Sequence, residues 1–511
     1  MQLIVWCAAF LAAILPAAPS SAQDVTLSSR DGSLSIEGTL EGFDGEFYRV
    51  ATAYGELTVD GQAVRCDGPG CPDLTAPFAL IRMTGAPQPG AAVLVPLWQG
   101  FARTKGLTSM IETEDQLGFS LLLSDRVAGR PIGRVTFQPA GAEAARQNLA
   151  RGLADLSLTY RAEEGTAERI VALDAMIPIV ARDNTLPQIS TAELARALTG
   201  RIANWQELGG PDMPIVLHAL TVQSSLEEAL SVRLGNPIAA TERHPDSKSL
   251  AVAVAHDPYA LAITALSAVG EARQLPLTDS CDFPLVPSPL AVKSEDYPLS
   301  LPLFLQMPRR RLPLLAREFL DFLASDDAQA ALSTAGHMDR AIVRTPLAAD
   351  GTRLMNAIRV AGDDITLPDL QRLAARMFGS DRLSLTFRFE DGTETLDAQS
   401  LDRLAELAGL ISVGTFRGDE VTLVGFFDGS GPAAENMAKS VSNAETLLAA
   451  LAEAAPDLPK DQLPNVEGFG EALPMACDTT SGGRRLNRRV EVWIGPLASQ
   501  PENVSKDTAS P

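Results

Sequence analysis

The sequence predicts a multidomain α/β chain: a small N-terminal β-module, a two-lobed α/β body and a compact C-terminal βαβαβ domain. Three observations predict it. Short apolar alternations separated by Asp-Gly turns fill the first part. Strand, glycine turn and helix then recur from Phe78 onward, and the pattern restarts at Arg382. At about 150 residues per domain, 511 residues suit roughly three such units.

Residues 3–15 form an unbroken apolar run. A bilayer span takes about 20 residues, so the run reads as the core of a signal peptide. Small residues at Ser20-Ser21-Ala22 offer a cleavage site. Pro16 and Pro19 would break a buried helix at once. Residues 1–22 are therefore expected to be removed on export, leaving Cys66, Cys71, Cys281 and Cys477 in an oxidising compartment. Cys66 and Cys71 flank Asp-Gly-Pro-Gly, a turn that brings them within disulfide reach. Whether Cys281 and Cys477 meet is left open.

Lys plus Arg is 42 and Asp plus Glu is 64, a net charge of −22. That balance argues against nucleic-acid binding, which needs clustered cations on phosphates. Four histidines, none in a metal-ligand spacing, and no Gly-x-Ser-x-Gly argue against a metal centre and a serine hydrolase. No metal, no cofactor and no enzymatic activity are expected. Asp155, Asp174 and Glu193 read as ordinary strand-end and helix-cap residues.

In order, residues 23–76 are the β-module, with strands around Val25, Leu34–Leu40, Phe47–Val50 and Leu57–Val59. A strand at 78–84 leads through a Pro/Gly loop to a helix over 91–102 that Pro96 interrupts. A strand from Val135 and a helix over 142–151 follow, then strands over 155–159 and 175–181. The next helix is capped by Ser190 with Glu193 three residues on, a capping box. Such alternation predicts a parallel-type sheet with helices on both faces. Residues 338–375 read as a connector ending in a short helix at 367–377. From Arg382 come a strand (383–389), a helix (398–410), a strand (421–425), a long helix (433–454) and a strand (490–494). Residues 376–497 are taken as one domain and 498–511 as a disordered polar tail.

Within 382–495 the blocks Gly425-Phe-Phe-Asp428-Gly-Ser-Gly431, Asn436, Ser440-Val-Ser-Asn443-Ala444, Gly468-Phe-Gly470-Glu471 and Gly483-Arg484-Arg-Leu-Asn487-Arg488-Arg489-Val490-Glu491 occur in order. They resemble the OmpA-like peptidoglycan-binding domain. The resemblance implies that Asp428 pairs with the ammonium of diaminopimelate in a cell-wall peptide. It places the family's carboxylate-binding Arg on Asn443, which lacks a cationic fork. Arg488 matches a wall-facing Arg and Arg484 a second basic position. Asn487, Arg488 and Arg489 can equally serve to hold the fold together.

The body carries Ile170-Val-Ala-Leu-Asp174-Ala-Met-Ile-Pro-Ile-Val, Gly200-Arg-Ile202-Ala-Asn204-Trp205, Gly209-Gly210-Pro211, Leu250-Ala-Val-Ala-Val-Ala-His256-Asp-Pro258 and Tyr297-Pro298-Leu299-Ser300. Over 77–337 this is similar to the phosphate-binding class of periplasmic solute-binding proteins. It implies two lobes hinged around a ligand. Mapped onto the family pattern, the ligand set becomes Thr84, Gly141, Ala142, Tyr160, Arg161, Ser224 and Ser225. Several donors have changed. Pro89 stands at a hydroxyl position, Tyr160 at an Asp position, and the usual Arg and Ser-Gly-Thr fall on Ala219 and Gln223-Ser224-Ser225.

The expected protein is thus periplasmic, a solute-binding-type module tethered non-covalently to peptidoglycan. A small anionic or polar solute and the wall are its partners, and peripheral association with the outer membrane is compatible with that tether. The alternative is an envelope scaffold whose binding-protein-like module has lost its small ligand.

Overall fold

The computed structural model describes residues 24–496, apart from 73, 75–76, 115–117, 162–166, 223, 362–363 and 391. The expected signal peptide and C-terminal tail lie outside the described residues, as does Gln223. No helix among the described residues is long and apolar enough to cross a membrane.

The N-terminal module is a five-stranded antiparallel sheet of Val25–Ser29, Ser35–Phe43, Phe47–Thr52, Gly55–Asp60 and Val64–Asp67. Alternate residues Val25, Leu27, Tyr48 and Val50 turn inward over Phe43 and Val64. The period of two puts one face of each strand into this small core. A disulfide joins Cys66 and Cys71 across a Cα separation of 5.8 Å.

The body contains two cores. The first gathers Ile81, Met83, Trp98, Phe101, Phe137 and Phe319; the second gathers Ile177, Ile179, Trp205, Leu250 and Leu261. Two long strands, Ala167–Val180 and Ser300–Met307, run antiparallel from one to the other. Val171 and Ala172 belong to the first core, and the chain enters the second at Leu173. This pair is the only strand connection that a two-lobed body with a hinge requires.

The sheet is not the parallel one that the strand–helix alternation predicts. Ala79–Gly85 pairs parallel with Pro131–Pro139 and Leu156–Thr159, and Val216–Leu220 pairs parallel with Glu242–His244 and Ala260–Ala265. The two hinge strands and the hairpin Leu107–Glu114/Phe119–Asp125 are antiparallel. The sheet is therefore mixed, with eleven strands. The helix after the first strand runs Pro87–Thr104 through Pro96. Trp98 stacks on Phe319 with centroids 3.7 Å apart, and burial of Val93, Leu94, Leu97, Trp98 and Phe101 outweighs the roughly 3 kcal/mol that an internal proline costs.

The C-terminal sheet runs Arg344–Pro346, Asp381–Phe387, Arg489–Pro496, Asp419–Phe426, Asn465–Gly468. Helices Ala398–Ser412 and Ala433–Ala454 pack on its first face through Leu404, Leu407, Leu447 and Leu451. The stretch 338–375 is not a plain connector. It supplies the edge strand Arg344–Pro346 and, through Ala357, Ile365 and Leu373 with Met377 just beyond, covers Val424, Phe426 and Trp493 on the other face. Strand residues Val424, Phe426 and Trp493 need an apolar cover on that side, and Phe469, Ala472 and Leu473 complete it.

Both accessory units are docked on the body, each on a different lobe. Arg49 of the N-terminal module meets Asp155 of the first lobe at 2.9 Å. Arg382 and Arg388 of the C-terminal unit meet Asp296 of the second lobe at 2.6 and 2.8 Å. A disulfide between Cys281 and Cys477, Cα atoms 5.5 Å apart, adds a covalent link at that second junction.

Candidate functional sites

The cleft between the lobes holds a cavity of about 840 Å³. Gly141, Ala142 and Glu143 line it from the first lobe; Val222, Glu227, Glu228 and Arg243 line it from the second. Gly141 starts the helix Ala142–Ala150 with extended backbone and no side-chain cap, leaving helix-start amides toward the cleft. These are the two family-mapped ligand residues that face the cavity.

The other five lie elsewhere. Thr84, Ser224 and Ser225 are buried, and Thr84 Oγ1 has no hydrogen-bond partner among the described residues. Ser224 precedes the helix Ser225–Leu234. Tyr160 packs against both cores, so its ring fills space between the lobes. Burial pushes its phenol well above the ordinary range, with Asp174 adding to the shift. Arg161 reaches across to Glu228 at 3.7 Å. Asp174 is held by Ser267 Oγ at 2.5 Å, and burial raises its carboxyl.

The electrostatics of the cleft are acidic. Arg243, the cation in the lining, is engaged by Glu227 at 3.0 Å and donates to the carbonyls of Leu220 and Ile238. Burial raises the Glu227 carboxyl against the pull of that guanidinium. An oxyanion here would face Glu143, Glu227 and Glu228, with helix-start amides, Gln147, Ser231, Asn236 and an Arg243 already paired with Glu227 in its favour. Among the described residues no group of three His, Cys, Asp or Glu side chains is placed to hold a metal ion.

The second site is a cavity of about 440 Å³ in the C-terminal unit. Phe427 supplies an apolar surface, and Lys439, Asn443, Arg485, Arg488, Glu390 and Glu394 share the lining. The strand Asp419–Phe426 ends just before Phe427 and Asp428, and the next turn feeds the helix Ala433–Ala454 that carries Lys439 and Asn443. Residues four apart on a helix share a face, so Lys439 and Asn443 project to the same pocket.

Asp428 is fully buried behind this pocket. Its carboxylate accepts from the Ser430 amide at 2.9 Å, from the Ser430 hydroxyl and from Arg488 Nε. Burial alone would raise its pKa, but these donors outweigh it and hold the carboxyl below the usual range. Arg484 turns away and donates to the Asp478 carbonyl at 2.8 Å. Asn487 ties a loop through the Met475 and Ala476 amides at 2.7 and 3.0 Å, and Arg489 is buried against Glu491. Of the mapped positions, Asn443 and Arg488 share the pocket, Asp428 supports it, and Arg484 lies outside it. Lys439, Arg485, Phe427, Glu390, Gly392, Thr393 and Glu394 were missed as pocket residues. The helical spacing of Lys439 and Asn443 was the available signal.

Residues 119–327 match the family model described as PBP superfamily domain. An 88-residue stretch, 16% of the chain, is 30% identical to the phosphate-binding protein PstS of Borreliella burgdorferi. The match spans 32% of that protein, so the chain covers about a third of the length of this curated relative. Among solved structures, a putative phosphate ABC transporter substrate-binding protein with bound phosphate from Clostridium perfringens covers 51% of this chain and 99% of its own. Its identity is 17% and its TM-score 0.41. An ABC-type phosphate transport receptor from Vibrio cholerae covers 50% and 99%, with 18% identity and the same TM-score of 0.41. The middle of the chain is similar to the PBP superfamily model and, over 88 residues, to a phosphate-binding protein PstS.

Proposed function

We propose that this chain is an exported periplasmic protein that carries a phosphate-binding-protein-like module on peptidoglycan through an OmpA-like C-terminal unit. The observation that supports the tether is the pocket around Phe427. It joins cations at Lys439, Arg485 and Arg488 with carboxylates at Glu390 and Glu394, over an apolar ring. A pocket with both signs of charge suits a small zwitterion such as the diaminopimelate of a wall peptide. Asp428 acts from behind by fixing Arg488. In co-sedimentation with purified sacculi, the full chain is expected in the pellet and its Asp428→Ala variant in the supernatant. Equal pelleting of the two would remove Asp428 from the site.

A second reading is favoured by Tyr160. Its ring packs against both cores where the family pattern has an Asp, and the remaining cleft is acidic. On that reading the body is a scaffold, or takes something other than phosphate. A buried dianion without matched donors costs several kcal/mol. Titration calorimetry of the full chain with inorganic phosphate is expected to give no binding at micromolar concentrations. A micromolar Kd would restore phosphate as the solute and remove the scaffold reading.

A further inference from the structure

We propose that Lys439 is the residue that takes the carboxylate of the ligand in the C-terminal pocket. This rests on the wall-binding reading above and adds the group that determines its specificity.

Three cations line the pocket, and two already face carboxylates of the chain. Arg488 is bound to Asp428. Arg485 lies 3.4 Å from Asp397. Lys439 has neither a hydrogen bond nor an ion pair among the described residues. Its Nζ sits 5.2 Å from the centroid of the Phe427 ring. Arg488 lies over the same ring at 5.5 Å. A cation over an aromatic face is held in place while its remaining N–H groups stay available.

The neighbours of Lys439 suit a carboxylate arriving there. Asn443, one helical turn on, and Ser442 add neutral polar groups to the same lining. Ser430 closes the side nearest Asp428. A lysine gives a point charge with freely rotating donors, whereas a guanidinium would give a planar fork. The pocket therefore accepts a single carboxylate without demanding one fixed orientation. The ammonium of the same ligand would turn toward Glu390 and Glu394, because Asp428 is sealed by Arg488 and Ser430.

The experiment uses the full chain with purified sacculi, untreated or with their carboxyl groups converted to amides. Lys439→Gln is expected to weaken binding to untreated sacculi about tenfold, the scale of one charge-assisted hydrogen bond. Lys439→Arg is expected to recover most of it. Lys248→Gln, an equal charge change at an exposed site of the second lobe, is expected to bind as wild type. On amidated sacculi the wild type should fall to the level of Lys439→Gln. If wild type and Lys439→Gln bind untreated sacculi equally, the role of Lys439 is refuted while the wall reading stands. If Lys248→Gln loses as much as Lys439→Gln, the effect is one of net charge and the assignment is refuted. If the wild type does not bind sacculi, both readings are overturned.

Discussion

Replacing Glu491 by alanine is expected to lower the stability of the chain by about 3–5 kcal/mol, the scale of an ion network broken from one side. Glu491 is fully buried in the strand Arg489–Pro496. Its two oxygens serve Arg353 at 2.7 Å, Arg489 at 2.7 Å, Arg382 at 3.2 Å and Trp493 Nε1 at 2.9 Å. Removing it leaves three buried guanidiniums short of charge, and burial already pushes Arg489 down to about 10 despite Glu491 beside it. Arg382 also holds Asp296, so the loss reaches the junction with the second lobe. The expected loss measures stranded cations, not the net worth of the network against an apolar core.

The pH dependence has a definite sign. Burial would raise the Glu491 carboxyl, but Arg353, Arg382 and Arg489 outweigh it and hold it far below its ordinary range. A carboxyl depressed on folding contributes fully above its unfolded pKa, about 4.3. That contribution is lost as the pH falls below that value. Urea unfolding of wild type and Glu491→Ala should therefore differ most near neutral pH and converge in acid. Equal midpoints at pH 7 would show that the network carries no such weight.

Local features of this chain were legible from sequence because short-range chemistry decides them. Ser190 and Glu193 form both bonds of their capping box, at 3.2 and 2.9 Å. The helix Ala433–Ala454 begins just after Pro432, where the sequence places its start. What was not legible depends on distant partners. Nothing local to Arg382 and Arg388 signals that Asp296 of another unit lies beside them. Cys281 and Cys477 are 196 residues apart, and no local signal pairs them. The hairpin Leu107–Glu114/Phe119–Asp125 was missed because its first strand mixes Thr, Ser and Glu with few apolar residues. The candidate pockets follow the same rule. Gly141 and Asn443 fall where motif spacing put them, whereas the packing of Tyr160 against both cores depends on how the lobes meet.

Asp155→Ala is expected to have an effect of similar size, about 3–5 kcal/mol, but at the junction of the N-terminal module with the first lobe. The Asp155 carboxylate is completely buried between the N-terminal module and the first lobe. Arg49 reaches it at 2.9 Å, Arg310 at 2.6 Å and the Arg82 amide at 2.8 Å. Glu56 of the module adds bonds to Arg82 at 2.7 Å and to Arg49 at 3.0 Å. Without Asp155, Arg49 and Arg310 keep only Glu56 as a counter-charge, and the module is left to its separate tie through Glu46 to Arg311 and Arg317. Limited proteolysis should then cut within residues 24–67 well before the body, while wild type resists. Sacculus binding should be unchanged, because the C-terminal unit is fixed to the second lobe through Asp296 and the Cys281–Cys477 disulfide. A variant that keeps wild-type protection of residues 24–67 would show that Asp155 does not hold the module. One that also releases the sacculi would show that the two junctions depend on each other, contrary to their placement on separate cores.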